Sequence, residues 1–140
     1  MIVYLDTSVI VSIITLDGNS KRAGRWYEGL YSPVIISDLA NLEVCAVISR
    51  DLRSSRFSRA YADKARIDFD ALRATSERWS HGAQDFTLAD RLVRDYSTKL
   101  SAPDALHLAS AKNASAALAT FDDRLAGAAR AQGVQVAEVE

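Results

Sequence analysis

Residues 2–10 read IVYLDTSVI, and this stretch decides the fold. Ile2 to Leu5 is a continuous apolar run rich in β-branched and aromatic residues, the pattern of a strand buried on both faces. Asp6, Thr7 and Ser8 then supply side chains suited to a helix N-terminus, and the apolar run from Val9 continues as that helix. A buried strand therefore passes straight into a helix with an acid at the junction. The arrangement recurs at Pro33 to Ile36, where Ser37-Asp38 opens a helix whose expected apolar stripe is Leu39, Leu42, Ala46 and Val47. It recurs again at Ala116 to Phe121, followed by Asp122-Asp123 and a helix that stops near Gly133. Val134 to Val139 reads as a fourth strand at a sheet edge.

Helical patterns cover Ser20 to Tyr31, Ser58 to Arg78, Thr87 to Lys99 and Ala102 to Asn113, with a loop at His81-Gly82-Ala83-Gln84. Strands alternating with helices predict βαβ units and a mainly parallel sheet covered on both faces. With no internal repeat and no linker-like shift in composition, the prediction is an α/β fold: one three-layer α/β/α domain over residues 1–140.

Composition sets the bounds. A chain of 140 residues, 49% hydrophobic and 25% charged with six Gly and two Pro, is an ordinary globular protein with one core, not a disordered or fibrous one. Seventeen Lys and Arg stand against eighteen Asp and Glu, so a net charge of -1 does not recruit nucleic acid or an anionic membrane in bulk. A polyanionic partner would have to meet a local patch. The single cysteine, Cys45, excludes an internal disulfide and a Cys-based zinc cluster and suits a reducing compartment. MIVYLD has no basic segment before its apolar run, and the longest apolar stretch, Val9 to Leu16, is far too short to span a bilayer. The expectation is a soluble cytoplasmic protein without a membrane partner.

In parallel sheets ligands bind at the carboxyl ends of the strands, and here those positions are acidic. Asp6 follows the first strand and Asp122 the third; if these strands are neighbours, two carboxylates from opposite ends of the chain meet at one rim. Each is equally well explained as a helix N-cap. Glu43 lies on the flank of the expected stripe, where a carboxylate is costly unless paired, protonated or metal-bound, or turned to the solvent edge. Asp104 stands in SAPDALHLA (residues 101–109), where Ser101-x-x-Asp104 with Pro103 also has the spacing of a helix start.

Four converging carboxylates would repel one another unless a cation sat among them, and hard oxygen ligands select Mg2+ or Mn2+. The two histidines, His81 and His107, have no partner at zinc-ligand spacing. Carboxylate-held Mg2+ does phosphoryl chemistry, lowering the pKa of an attacking water. No Walker A motif, no G-x-G-x-x-G after a strand and no G-x-S-x-G competes with that reading.

At these residues the sequence resembles the PIN-domain ribonucleases, and among them the VapC-type toxins of bacterial toxin–antitoxin pairs. The likeness runs through four segments in order: IVYLDTSVI (2–10), SDLANLEV (37–44), LSAPDALHLA (100–109) and LATFDDRL (118–125). It implies a PIN-like fold and an acidic quartet of Asp6, Glu43, Asp104 and Asp122 that holds Mg2+ or Mn2+ and activates water against an RNA phosphodiester. Thr7 or Thr120 would support the quartet. Asp123 competes with Asp122 for the fourth position, and the role falls to Asp122 because it follows Thr120-Phe121 directly. His107 reads as a packing or supporting residue rather than a base. The same likeness implies a cognate antitoxin, a homodimer, and a variable helical region at Ser58 to Arg78 where partners dock.

Charge distribution is compatible with RNA. From Arg50 to Arg66 six basic residues (Arg50, Arg53, Arg56, Arg59, Lys64, Arg66) face only two acids, Asp51 and Asp63. Arg50, Arg53, Arg56 and Arg59 are candidate phosphate contacts, although a solvated helix face would look the same. Three other functions remain open: a PIN-like nuclease of RNA maturation or DNA processing, a degenerate PIN fold used only for binding, and a phosphoacceptor receiver domain. The last expects an acid pair after the first strand, where this chain has one acid.

Overall fold

Five short strands and seven helices alternate along the chain, and the computed structural model describes all of residues 1–140. In order they are β1 (Val3–Leu5), α1 (Thr7–Ile14), α2 (Ser20–Glu28), β2 (Val34–Ser37), α3 (Asp38–Arg53), α4 (Arg59–Ala74), β3 (Glu77–Trp79), α5 (Ala83–Arg94), α6 (Ala102–Asn113), β4 (Ala117–Ala119), α7 (Asp123–Ala131) and β5 (Val136–Ala137). A 3-10 turn at Tyr96–Thr98 follows α5. The sheet has the order β3-β2-β1-β4-β5 and is parallel throughout, with Tyr4 opposite Ile35 on one side and Leu118 on the other.

Successive strand residues point to opposite faces, and two separate cores follow from that alternation. Val3, Leu5, Val34 and Ile36 pack with Val9 and Ile10 of α1, Val44 of α3 and Phe69 of α4. Tyr4, Ile35 and Leu118 pack instead with Leu92 of α5, Leu108 of α6 and Leu125 of α7. The three-layer α/β/α architecture is as the sequence predicts. β1, β2 and β4 are buried along their whole length, which is why they are written as unbroken apolar runs. No helix is long and apolar enough to cross a membrane.

Four details differ from the sequence reading. The expected Ser58–Arg78 helix ends at Ala74, and its last residues belong to β3, an edge strand defined by its ladder to β2. Glu77 and Arg78 are exposed, so no apolar pattern announces a strand there. The buried line of α3 is Ala40, Val44, Ile48 and Asp51, not Leu39, Leu42, Ala46 and Val47; Leu42 is 67% exposed. α5 begins at Ala83, inside the expected loop, because Asp85 reaches back to the Gly82 N–H (3.1 Å) and starts the helix early; it ends at Arg94 rather than Lys99. The fourth expected strand shrinks to Val136–Ala137, at the edge where it belongs.

Candidate active site

From β1 the chain builds the sheet outward to β2 and β3, then crosses back to β4 on the other side of β1. The crevice at the carboxyl ends of β1 and β4 is therefore the topological switch point. Asp6 stands there, 6% exposed, as the N-cap of α1. Its Oδ1 accepts the Thr7 N–H (2.8 Å), and its Oδ2 accepts the hydroxyls of Ser8 (2.9 Å) and Thr120 (2.7 Å). The same two hydroxyls receive backbone N–H groups from the opposite loop: Phe121 donates to Ser8 (3.1 Å) and Asp122 to Thr120 (3.0 Å). One carboxylate thus stitches the β1–α1 junction to the β4–α7 junction.

Asp122 is the N-cap of α7, its Oδ1 accepting the N–H groups of Arg124 (2.9 Å) and Leu125 (3.1 Å). Asp6 and Asp122 are caps and also partners at one rim, so the two sequence explanations hold together. Asp123 is the exposed first residue of α7. Asp104 lies in the first turn of α6 behind the Ser101 cap. Partial burial pushes its carboxyl above the ordinary value, and the charges of Asp6 and Asp122 push it the same way, against the lowering effects of Ser101 and His107.

Glu43 projects from the second turn of α3. Turning Ala40 and Val44 into the core brings it to the crevice, where its Oε1 accepts the Thr7 hydroxyl (2.9 Å) and meets His107 Nε2 (2.5 Å). Burial works to raise the Glu43 pKa, but the hydrogen bond and charge of His107 and the bond from Thr7 outweigh it, holding the carboxyl below its ordinary range. His107 is 1% exposed, with Nε2 also 3.6 Å from Asp6 Oδ1 and 3.5 Å from Thr7 Oγ1. Its Nδ1 shares a 2.7 Å hydrogen bond with the Tyr4 hydroxyl, which donates to Ser37 Oγ (2.8 Å). Burial raises the Tyr4 phenol far above its usual value and keeps it a neutral hydroxyl.

The structure therefore brings Asp6, Glu43, Asp104 and Asp122 into one electrostatic neighbourhood, with Thr7 and Thr120 bonded to two of them. It adds Tyr4, Ser8 and Ser37, and it puts His107, read from the sequence as a packing or supporting residue, on the carboxylate of Glu43. His107 lies three residues after Asp104, on the same face of α6. None of the four acids pairs with a Lys or Arg; their ion pairs go only to His107. An uncompensated set of hard oxygen donors fits a hard divalent cation. In the structure no three His, Cys, Asp or Glu side chains close around a common point, so chelation would need the acids to draw closer together.

The basic segment occupies the corner between α3 and α4. Arg50 pairs with Asp51 (3.3 Å), Arg59 with Asp63 (3.2 Å) and Lys64 with Asp68 (2.6 Å), leaving Arg53, Arg56 and Arg66 without an acidic partner. The exposed pairs Arg59–Asp63 and Lys64–Asp68 contribute little to stability and open readily. Ten residues of α3 separate Glu43 from Arg53, about 15 Å along the helix axis.

Residues 3–131 match the family model of the PIN domain. Among solved structures, the VapC20 toxin of Mycobacterium tuberculosis, described as cleaving the sarcin-ricin loop, superposes with a TM-score of 0.73 at 19% identity, covering 90% of this chain and 94% of its own. VapBC2 from Rickettsia felis, bound to a DNA fragment from its promoter, gives 0.75 at 16% identity with 100% of each chain covered. A toxin–antitoxin complex from Klebsiella pneumoniae gives 0.66 at 19% identity, covering 89% of this chain and 91% of that one. No curated protein sequence matches the chain.

Proposed function

The chain belongs to the PIN-domain family, and from that premise we propose that it is a Mg2+- or Mn2+-dependent endoribonuclease, the toxin of a cytoplasmic toxin–antitoxin pair. The observation that carries this reading is the group of four acids at the switch point, with Asp104 raised by burial and by Asp6 and Asp122 and no Lys or Arg to neutralise them. Solved toxins of the same fold, one of them in a toxin–antitoxin complex, support a cognate antitoxin and antagonism of growth.

Asp6 and Asp104 would be the principal metal ligands, with Glu43 and Asp122 completing the set. When bound, the ion lowers the pKa of a water molecule and offsets negative charge on the phosphodiester. The protein's own part is preorganisation. Ser8, Thr120 and the Thr7 N–H fix both oxygens of Asp6 before any substrate arrives, and Thr7 and His107 hold Glu43 ionised. Arg53 and Arg56 would meet the RNA backbone through phosphate contacts that orient the strand without reading its bases. The antitoxin would cover the acidic crevice, and the active species would be a homodimer.

Purified free of other chains, the protein is expected to cleave RNA with Mg2+ or Mn2+ and to stop on addition of EDTA. Inducible expression should arrest growth, and Asp6→Asn should relieve the arrest. An Asp6→Asn variant with undiminished cleavage would end this assignment.

A further inference from the structure

Asp6 and Asp122 are N-caps and Asp104 lies in the first turn of α6, whereas Glu43 is six residues into α3. Its longer side chain carries more rotamer freedom, and no hydrogen bond from its own helix restrains the carboxylate. Both contacts that do restrain it, from Thr7 Oγ1 and His107 Nε2, fall on Oε1, and Oε2 has no protein partner. The carboxylate is therefore held by one oxygen and presents the other.

His107 is itself anchored. Its Nδ1 bonds to the Tyr4 hydroxyl, Tyr4 donates to Ser37 Oγ, and that oxygen also accepts the Ala40 N–H (3.0 Å) as the N-cap of α3. A closed circuit results: it leaves α3 at Ser37, crosses β1 at Tyr4 and α6 at His107, and returns to α3 at Glu43. The imidazole is 1% exposed and stands edge-on to the Tyr4 ring, with centroids 5.7 Å apart, so it has no room to turn.

We propose that His107 is a positioning residue for Glu43: the buried Ser37–Tyr4–His107 chain aims the free oxygen of Glu43 and so sets the affinity of the acidic crevice for a divalent cation. This rests on the reading that Glu43 is one of the metal ligands. Gln and Asn separate the two ends of the imidazole, because the Gln amide reaches the position of Nε2 and the Asn amide that of Nδ1.

The test is calorimetric titration of the RNA-free protein with Mn2+, with thermal melting beside it and RNA cleavage rates as a second readout. His107→Ala and His107→Asn are expected to weaken Mn2+ binding about tenfold or more, while His107→Gln, which keeps a donor to Glu43 but loses the Tyr4 anchor, is expected to fall between them and the wild type. In a Glu43→Gln background the His107→Ala change should cost no further affinity, because it acts through Glu43. Tyr4→Phe, which keeps the ring and removes only the hydroxyl, should weaken binding in the same direction; it carries the test if His107→Ala does not fold. A His107→Ala protein that binds Mn2+ like the wild type, or whose loss adds in full to that of Glu43→Gln, overturns the inference while leaving the nuclease reading intact. A wild type that binds no Mn2+ and cleaves no RNA overturns both.

Discussion

The molecule has two histidines, His107 buried and His81 partly so, and they do different work. The side chains of His107 and His81 are 1% and 9% exposed, and each Nδ1 meets a hydroxyl, Tyr4 for one at 2.7 Å and Ser110 for the other at 2.9 Å. They part at Nε2. In His81 that atom accepts the N–H of Leu39 (3.1 Å), one of the donors a helix leaves unpaired in its first turn. In His107 it meets the carboxylate of Glu43 one turn further along the same helix. His81 therefore completes α3, and His107 aims a side chain that α3 carries. Residue type does not separate the two; the partner on one nitrogen does.

Around His81 the remaining polar groups are also satisfied. Asp85 accepts from Trp79 Nε1 (3.0 Å), the Gly82 N–H (3.1 Å) and Asn113 Nδ2 (2.8 Å), and nothing in the cluster lacks a partner that a ligand would supply. Around Asp104 and Glu43, by contrast, charge is left over.

The largest effect that sharpens this contrast is on catalysis. Asp104→Asn is expected to lower RNA cleavage about a thousandfold or more, roughly 4 kcal/mol in the barrier, with the fold intact by circular dichroism. His81→Ala should do the reverse. It strands the Leu39 N–H and the Ser110 hydroxyl, costing about 2–4 kcal/mol of stability in urea unfolding, while the folded fraction cleaves RNA at close to the wild-type rate. A stable His81→Ala protein would break the comparison.

A smaller effect is pH dependence. Burial lowers the His81 pKa below its ordinary 6.5, against the raising effect of Asp85. Its contribution to stability is complete above pH 6.5 and is lost as pH falls below 6.5 toward the folded-state value, since protonating Nε2 breaks the bond from Leu39. Melting temperature should fall between pH 7 and pH 5.5 in the wild type and fall less steeply in His81→Asn. The smallest effect concerns Asp104. With its pKa raised in the folded protein, its ionised form opposes folding at neutral pH, so Asp104→Asn should raise the melting temperature of the metal-free protein by about 1–3 °C while removing activity.

What the sequence revealed follows from where its signals come from. β1, β2 and β4 are buried on both faces, so their identity is written in their own residues; β3 is a strand only because β2 pairs with it, and Glu77-Arg78 say nothing of that. The stripe Leu39, Leu42, Val47 is more hydrophobic than Ala40, yet α3 turns Ala40, Val44 and Ile48 into the core. The positions of Asp6 and Asp122 at strand ends and of Asp104 at a helix start could be read from the sequence, whereas Glu43 was singled out on the flank of a stripe that α3 does not bury. The roles of Tyr4 and Ser37 were not legible, since each is defined by a contact with a residue remote in the chain.

The bond from Thr120 to Asp6 joins residues 114 apart in sequence. At a synthesis rate of about 5–20 residues per second, those residues are made roughly 6–23 s apart, and the N-terminal strand waits that long for the segment that completes its carboxylate cluster. β1 and β2 can pair early, but β4 reaches its place beside β1 only once more than four-fifths of the chain exists. The acidic crevice thus cannot close until β4 and the loop after it have been made, long after the two strands on its other side can pair.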